Sequence, residues 1–180
     1  MLGSSKEIAY AYFESLSNVI PPEFSLSGVK TWARVVSIHD GDTLKAVIPL
    51  HDRCYAFPLR LHGIDTCELK SKDAQNKELA LKARNRLYEL VTQRPWPTTL
   101  VSASKSAMTN ALQEECFLVW LECGDFDKYG RLLATIRAEQ EGASFADILV
   151  SEKLAYVYGG DTKLTEAKQI ALLMSSMHKI

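Results

Sequence analysis

A chain of 180 residues has room for one sizeable hydrophobic core, and 47% hydrophobic with 24% charged residues is an ordinary globular composition, which sets aside general disorder and fibrous classes. No apolar run approaches the roughly 18 to 20 residues of a membrane helix, and Lys6, Glu7 and Glu14 interrupt the block an export signal needs, so a cytoplasmic setting without membrane association is expected. A formal net charge of −1 lacks the Lys and Arg surplus that grips nucleic acid through many phosphates, so any such role must rest on a local site.

The first segment predicts a helix over 4–19, with Ile8, Tyr12 and Val19 near one face and a capping box from Ser4 to Glu7. Pro21-Pro22 stops it, and the stretch to Gly28 reads as a linker. Residues 1–28 are therefore an expected helical extension, and 29–180 the main domain.

From Lys30 the period changes. TWARVVSI predicts a strand that ends at the turn His39-Asp40-Gly41-Asp42, LKAVIPL a second strand to Leu50, and CYAFPLRLHGI a third, with Pro58 marking an edge or a bulge. Short connections make this an antiparallel meander, curled into a small barrel. Between Lys72 and Thr92 the apolar residues Ala80, Ala83, Leu87, Leu90 and Val91 recur at helical spacing, and the proline-rich PWP closes that helix. Thr98 to Glu115 reads as an insertion containing a short helix near Met108 to Gln113. CFLVWLE and RLLATIRAE add two strands joined by a hairpin, which brings the strands to five. Ser144 with Asp147 opens a further helix, and Asp161 or Thr162 caps a last one running to about Met177.

The segment Arg60 to Glu68, RLHGIDTCE, organises the rest: a strand turns over at a glycine and delivers Asp65 and Glu68 to its rim, with Arg60 just behind. Taken alone, Asp40-Gly41-Asp42-Thr43 is a common kind of turn, the Asp127-to-Arg131 segment a hairpin loop, and Tyr156-Val157-Tyr158 a strand with two tyrosines. Arg60 is harder to set aside, because a guanidinium inside an apolar strand needs a partner. Acids from two strand ends, a third acid nearby and arginines from two distant segments form the set that metal-assisted phosphodiester hydrolysis uses. A hard cation such as Ca²⁺ takes carboxylate and carbonyl oxygens, and arginines stabilise charge that accumulates on phosphorus. The four cysteines, Cys54, Cys67, Cys116 and Cys123, lack the spacing of a zinc site and read as reduced structural residues.

The order DGDT, RL-x-GIDT-x-E, DKYGR and LAYVY, from about Lys30 to Met177, resembles the staphylococcal nuclease family. The resemblance implies an α+β fold, mainly β: a five-stranded OB-fold barrel with three packed helices, here with the N-terminal helical extension added. It also implies a Ca²⁺-dependent nuclease that cleaves DNA and RNA with little sequence preference to products ending in 3′-phosphates. Asp42 and Asp65 match the metal carboxylates, the carbonyl of Thr66 a third ligand, and Asp40 an outer acid of the metal site. Glu68 matches the residue that acts as base or orients the attacking water, and Arg60 and Arg131 the pair that grips the phosphate. Lys128 and Tyr129 match phosphate contacts, and Tyr156 and Tyr158 the aromatic walls of the nucleotide pocket. Cys67 stands where the family commonly has proline, so a less rigid loop around Glu68 is expected, with a thiol beside the site. Gly159-Gly160 also replaces bulkier residues. A different class of function, a nuclease-like module that binds oligonucleotide or peptide without cleaving, generally loses the catalytic acids or arginines, which this chain retains.

Overall fold

The computed structural model describes residues 5–16, 20–97 and 105–175. Five strands, β1 (Lys30–Ile38), β2 (Thr43–Leu50), β3 (Arg53–Leu61), β5 (Phe117–Phe126) and β6 (Leu132–Arg137), close into a barrel in the order β1-β2-β3-β6-β5. All neighbours are antiparallel except β3 and β6, which run parallel over Leu59–Leu61. A two-residue ribbon pairs β4 (Ile64–Asp65) with β7 (Tyr156–Val157). The α+β barrel expected from the sequence is the fold observed.

Alternation drives the closure. β6 buries Leu132, Ala134 and Ile136, and β5 buries Phe117, Val119, Leu121 and Cys123, each with less buried residues between. In β1 the phase changes: Ala33 and Val35 are two apart, but the next buried residue is Ile38. A register shift against β2 between Val35 and Ser37 accounts for it, since one extra residue keeps the apolar side chains inward past the bend. Pro58 lies in the part of β3 that pairs only with β2, one residue before pairing with β6 begins, so its missing N–H is tolerated at an edge as the sequence indicated.

Helix α2 (Ala74–Thr92) starts at Asp73, whose carboxylate accepts from the amides of Gln75 and Asn76, and ends at Gln93 in the left-handed region. Its stripe of Ala80, Ala83, Leu87, Leu90 and Val91 is buried as the spacing predicts, and it packs on β1, β5 and the two later helices. One of these is α4 (Phe145–Ser151), capped by the reciprocal box of Ser144 and Asp147. The other is α5 (Glu166–Met174). The three expected packed helices are thus α2, α4 and α5. A fourth, α3 (Lys105–Glu114), rises from the segment read as an insertion and buries Met108 and Leu112 on the β1 side.

Two helix starts differ from expectation. Helix α5 begins after Thr165, not at Asp161 or Thr162, because Gly160 at φ 96° and the Tyr158 hydroxyl, donating to the Asp161 carbonyl at 2.5 Å, hold that stretch as a loop. Helix α1 (Lys6–Ser15) is capped by Ser5 and buries no residue. Ser4, Val19 and Met177, named for the terminal helices, and residues 98–104 of the insertion lie outside the described residues.

Candidate active site

The site begins with the turn that joins β1 to β2. The amides of His39 and Asp40 both donate to the Thr43 carbonyl, and the Asp40 carboxylate accepts from the Asp42 amide at 3.2 Å. Gly41 is there for space, since its φ is not positive: a Cβ at this position would lie 2.6 Å from the Cβ of Ala83 and 3.0 Å from Cγ2 of Thr66. The turn is therefore pressed between α2 and the chain that follows β4. This contact carries Asp42 to Asp65.

The second half comes from β3. The chain reverses after Leu61 through Gly63, at φ 81°, into β4, and so returns Asp65 alongside Arg60. Arg60 divides its guanidinium between the two acids: Nη1 donates to Asp42 Oδ1 at 2.9 Å, while Nη2 donates to Asp65 Oδ1 at 2.8 Å and to the Ile64 carbonyl at 3.1 Å. Its side chain is 12% exposed and both carboxylates are buried. The partner that a guanidinium in this strand requires is thus a pair of acids.

Their electrostatics differ. Burial, and then the charges of Asp40 and Asp65, push Asp42 up to about 8, outweighing Arg60 and the hydroxyl of Thr43. Burial also acts to raise Asp65, but hydrogen bonds from Tyr156 and Arg60 and the ammonium of Lys163 together outweigh it and hold the group below its ordinary value. Asp42 is the acid whose charge lacks compensation.

Behind Asp65 lies a buried polar chain. The Tyr156 hydroxyl donates to Asp65 Oδ2 at 2.5 Å and accepts from Gln169 Nε2 at 3.2 Å; Gln169 Oε1 accepts from Asn76 Nδ2 at 2.9 Å; and Asn76 Oδ1 accepts from the Glu68 amide at 3.0 Å. Asn76, Gln169 and Tyr156 are all buried. The chain leads from the Asp65 carboxylate through β7, α5 and α2 to the backbone of Glu68, so one network fixes both acids of the segment. It also supplies what Cys67 was expected to lose. Cys67 is buried against Ala80, Tyr156 and Leu173, so the loop is pinned on both sides without a proline. Its thiol is pushed up to about 11 by burial, which keeps it protonated and unreactive at neutral pH.

The front of the site is a hairpin. Asp127 accepts from the amides of Tyr129 and Arg131 through Oδ1 and from Arg131 Nε through Oδ2 at 2.7 Å. Arg131 Nη1 reaches Thr43 Oγ1 at 3.5 Å, and that hydroxyl donates to Asp42 Oδ1 at 2.8 Å. Thr43 therefore links the distant arginine to the first acid. The ring of Tyr129, 73% exposed, lies between Arg131 and Lys128, with centroid distances of 5.5 and 5.2 Å.

Most residues singled out in the sequence thus converge. Asp40, Asp42, Arg60, Asp65 and Arg131 form one connected cluster, Thr66 is packed beneath Gly41, and Glu68 stands exposed at the rim. Tyr156 takes another place: its hydroxyl positions Asp65. Tyr158 lies with its ring centroid 6.0 Å from the Arg60 guanidinium, and both tyrosines border a cavity of about 590 Å³ lined further by Gly159, Asp161, Thr162 and Leu164.

Residues 58–176 match a family model described as staphylococcal nuclease homologue. The chain belongs to this family. A search of curated proteins found no match. The matched segment includes Arg60, Asp65, Glu68 and Arg131 but begins after Asp40, Asp42 and Thr43, which the guanidinium of Arg60 and the hydroxyl of Thr43 tie to the family region.

Sequence reasoning missed Asn76, Gln169, Thr43 as a link, and Lys163. Two left a signal: Asn76 stands on the apolar stripe of α2, four before Ala80, and Gln169 four before Leu173 in α5. A polar residue on a buried face needs a partner, and here the two amides are partners. Lys163 left none. Its ammonium bonds Glu68 Oε1 at 2.5 Å and Asp65 at 3.1 Å to Oδ1 and 3.0 Å to Oδ2.

Among the described residues no group of three or more His, Cys, Asp or Glu side chains is placed to hold a metal. The donors that do converge are two carboxylates, both already turned toward one cationic group, with Asp40 behind them. Carboxylates are hard oxygen donors of the kind Ca²⁺ takes, and it is burial beside Asp40 and Asp65 that raises Asp42.

Proposed function

We propose that the protein is a Ca²⁺-dependent nuclease that hydrolyses phosphodiester bonds of DNA and RNA with little sequence preference and leaves 3′-phosphate ends. The observation that carries this reading is the pair of buried carboxylates, Asp42 and Asp65, drawn from different elements onto one guanidinium, with Arg131 joined to them through Thr43. Calcium, when bound by Asp42, Asp65 and the Thr66 carbonyl, supplies charge neutralisation at a phosphate oxygen and orientation of water.

The chain's own groups do the rest. Glu68, exposed at the rim, accepts a hydrogen bond from the attacking water and directs it at phosphorus. The new bond is from water oxygen to phosphorus, and the water's proton passes to Glu68. The bond that breaks is to the 5′-oxygen, which leaves as a hydroxyl after taking a proton from solvent, and the phosphate stays on the 3′ side. Arg131 and Arg60 donate to the phosphate oxygens as negative charge grows on them. Lys128 and the exposed ring of Tyr129 flank this position and offer a charge and a stacking face to the neighbouring nucleotide.

The test is hydrolysis of single-stranded DNA and RNA with Ca²⁺ across alkaline pH, arrest by EGTA, and end-group analysis of the products. Intact substrates under those conditions would sink the proposal. Oligonucleotide retained without cleavage would point to a binding module instead.

A further inference from the structure

Both oxygens of the Asp65 carboxylate have protein donors. Oδ1 accepts from Arg60 and Lys163, and Oδ2 accepts from Tyr156 with the Lys163 ammonium 3.0 Å away as an ion pair. Of these donors, Arg60 comes from a barrel strand and Tyr156 is held by Gln169, whereas Lys163 comes from the loop before α5 and is 39% exposed. Lys163 alone combines a full charge, a flexible four-carbon stem and an open path to solvent.

A calcium ion lies about 2.3 to 2.6 Å from its oxygen ligands. A cation at that distance from Asp65 would stand against an ammonium that spans both oxygens of the same carboxylate at 3.0 and 3.1 Å. Two cations so close in a partly buried site repel strongly. Of the two cations on this carboxylate, Arg60 sits in a barrel strand and is also held by the Ile64 carbonyl, so Lys163 is the one free to withdraw when a metal arrives. The same ammonium holds Glu68 Oε1, so its withdrawal also frees the Glu68 carboxylate.

We infer that Lys163 is a positioning residue of this site that acts as an internal cation: it occupies the Asp65 carboxylate in the metal-free protein, ties Glu68 to it, and must be displaced by calcium before Glu68 can direct water. This rests on the assignment of Asp42 and Asp65 as the calcium ligands. Calcium affinity is thereby set below what the carboxylates alone would give. Cation binding and release of Glu68 become one event.

Isothermal titration of the full chain with Ca²⁺ alone, without substrate, tests the idea in Lys163→Met, which keeps the stem, and Lys163→Arg, which keeps the charge. Removing a like charge within about 4–6 Å should tighten calcium about tenfold in the Met variant. The Arg variant should stay near the wild type. A purely structural role would give the opposite sign, since loosening the loop weakens binding. A Met variant that binds calcium no more tightly than wild type overturns the inference and leaves the metal assignment standing. Tightening equal in Met and Arg overturns the role of charge. Absence of calcium binding in wild type and Met variant alike removes the metal assignment, and the inference with it.

Discussion

The back and the front of this site are built by different means. At the back, Asp65 and Glu68 are held by a buried chain whose links join residues 91 and 93 positions apart in sequence. At the front, Arg131 is held by Asp127, four residues away in its own hairpin. The long-range chain is tied into the packing of three elements, so its loss should be felt in stability as well as activity. The local one hangs on a turn, so its loss should be felt in activity alone. Asp65 and the chain of Tyr156, Gln169 and Asn76 are buried in the back wall, whereas Glu68 and Tyr129 stand on the open rim.

The largest break should come from Arg60→Ala, which leaves Asp42 and Asp65 facing each other in a buried space. A stability loss of about 3 to 5 kcal/mol is expected in urea unfolding of the metal-free protein, together with loss of hydrolysis. A variant as stable as wild type would mean the guanidinium is not what reconciles the two acids. Arg131→Ala should separate the two quantities: turnover falling by about 10² to 10³ with an unchanged melting temperature. Glu68→Gln should behave likewise, and full turnover in both would remove the roles given to them.

For the back wall itself, Asn76→Ala and Gln169→Ala should each cost about 1 to 3 kcal/mol, because each leaves its partner amide buried and unpaired. Since they share that bond, the double variant should cost less than the sum; strict additivity in the cycle would show that the two amides act separately.

A separate effect concerns pH. Asp42 has its proton affinity raised from 3.8 to about 8 in the fold, so between those values the folded chain keeps a proton that the unfolded chain gives up. Stability from this group is complete below about pH 4 and is lost as pH rises toward 8. Metal-free Asp42→Asn should therefore melt above wild type at about pH 8.5, with the gap closing as pH falls toward about 4. A gap independent of pH would contradict the assignment. Least of all should Tyr129→Ala disturb the fold: within about 0.5 kcal/mol in stability, with a loss of about 1 kcal/mol in oligonucleotide affinity by fluorescence anisotropy.

The same division explains what could be read from the sequence. The barrel strands and α2 announce themselves by period, because burial on one face constrains every second or every third and fourth residue. The Asp127-to-Arg131 segment reads alone as a hairpin loop, which it is, and only its resemblance to the family motif marked Arg131. Arg60 was legible as an anomaly. The connection of Tyr156 to Asp65 was not, since a tyrosine at the end of a short strand presents equally as a ring or as a hydroxyl, and only the packing of α5 decides. Lys163 is one lysine in a loop whose length and turn residues set where its ammonium ends, and neither carries a period. The support of the Glu68 loop was not legible either: the Glu68 amide donates to the side chain of Asn76, eight residues on and in the next helix.

The missing side chain of Gly41 has a further consequence. Because the β1–β2 turn rests directly on Ala83 and Thr66, the gap between the two acids is gauged by the face of a helix and not by the strands that carry them. A methyl group added at Gly41, or an extra one on Ala83, would act as a shim, lifting Asp42 away from Asp65 although neither acid is itself substituted. Ala83 lies in the middle of an unremarkable apolar stripe, yet the tolerance of the whole site is machined there.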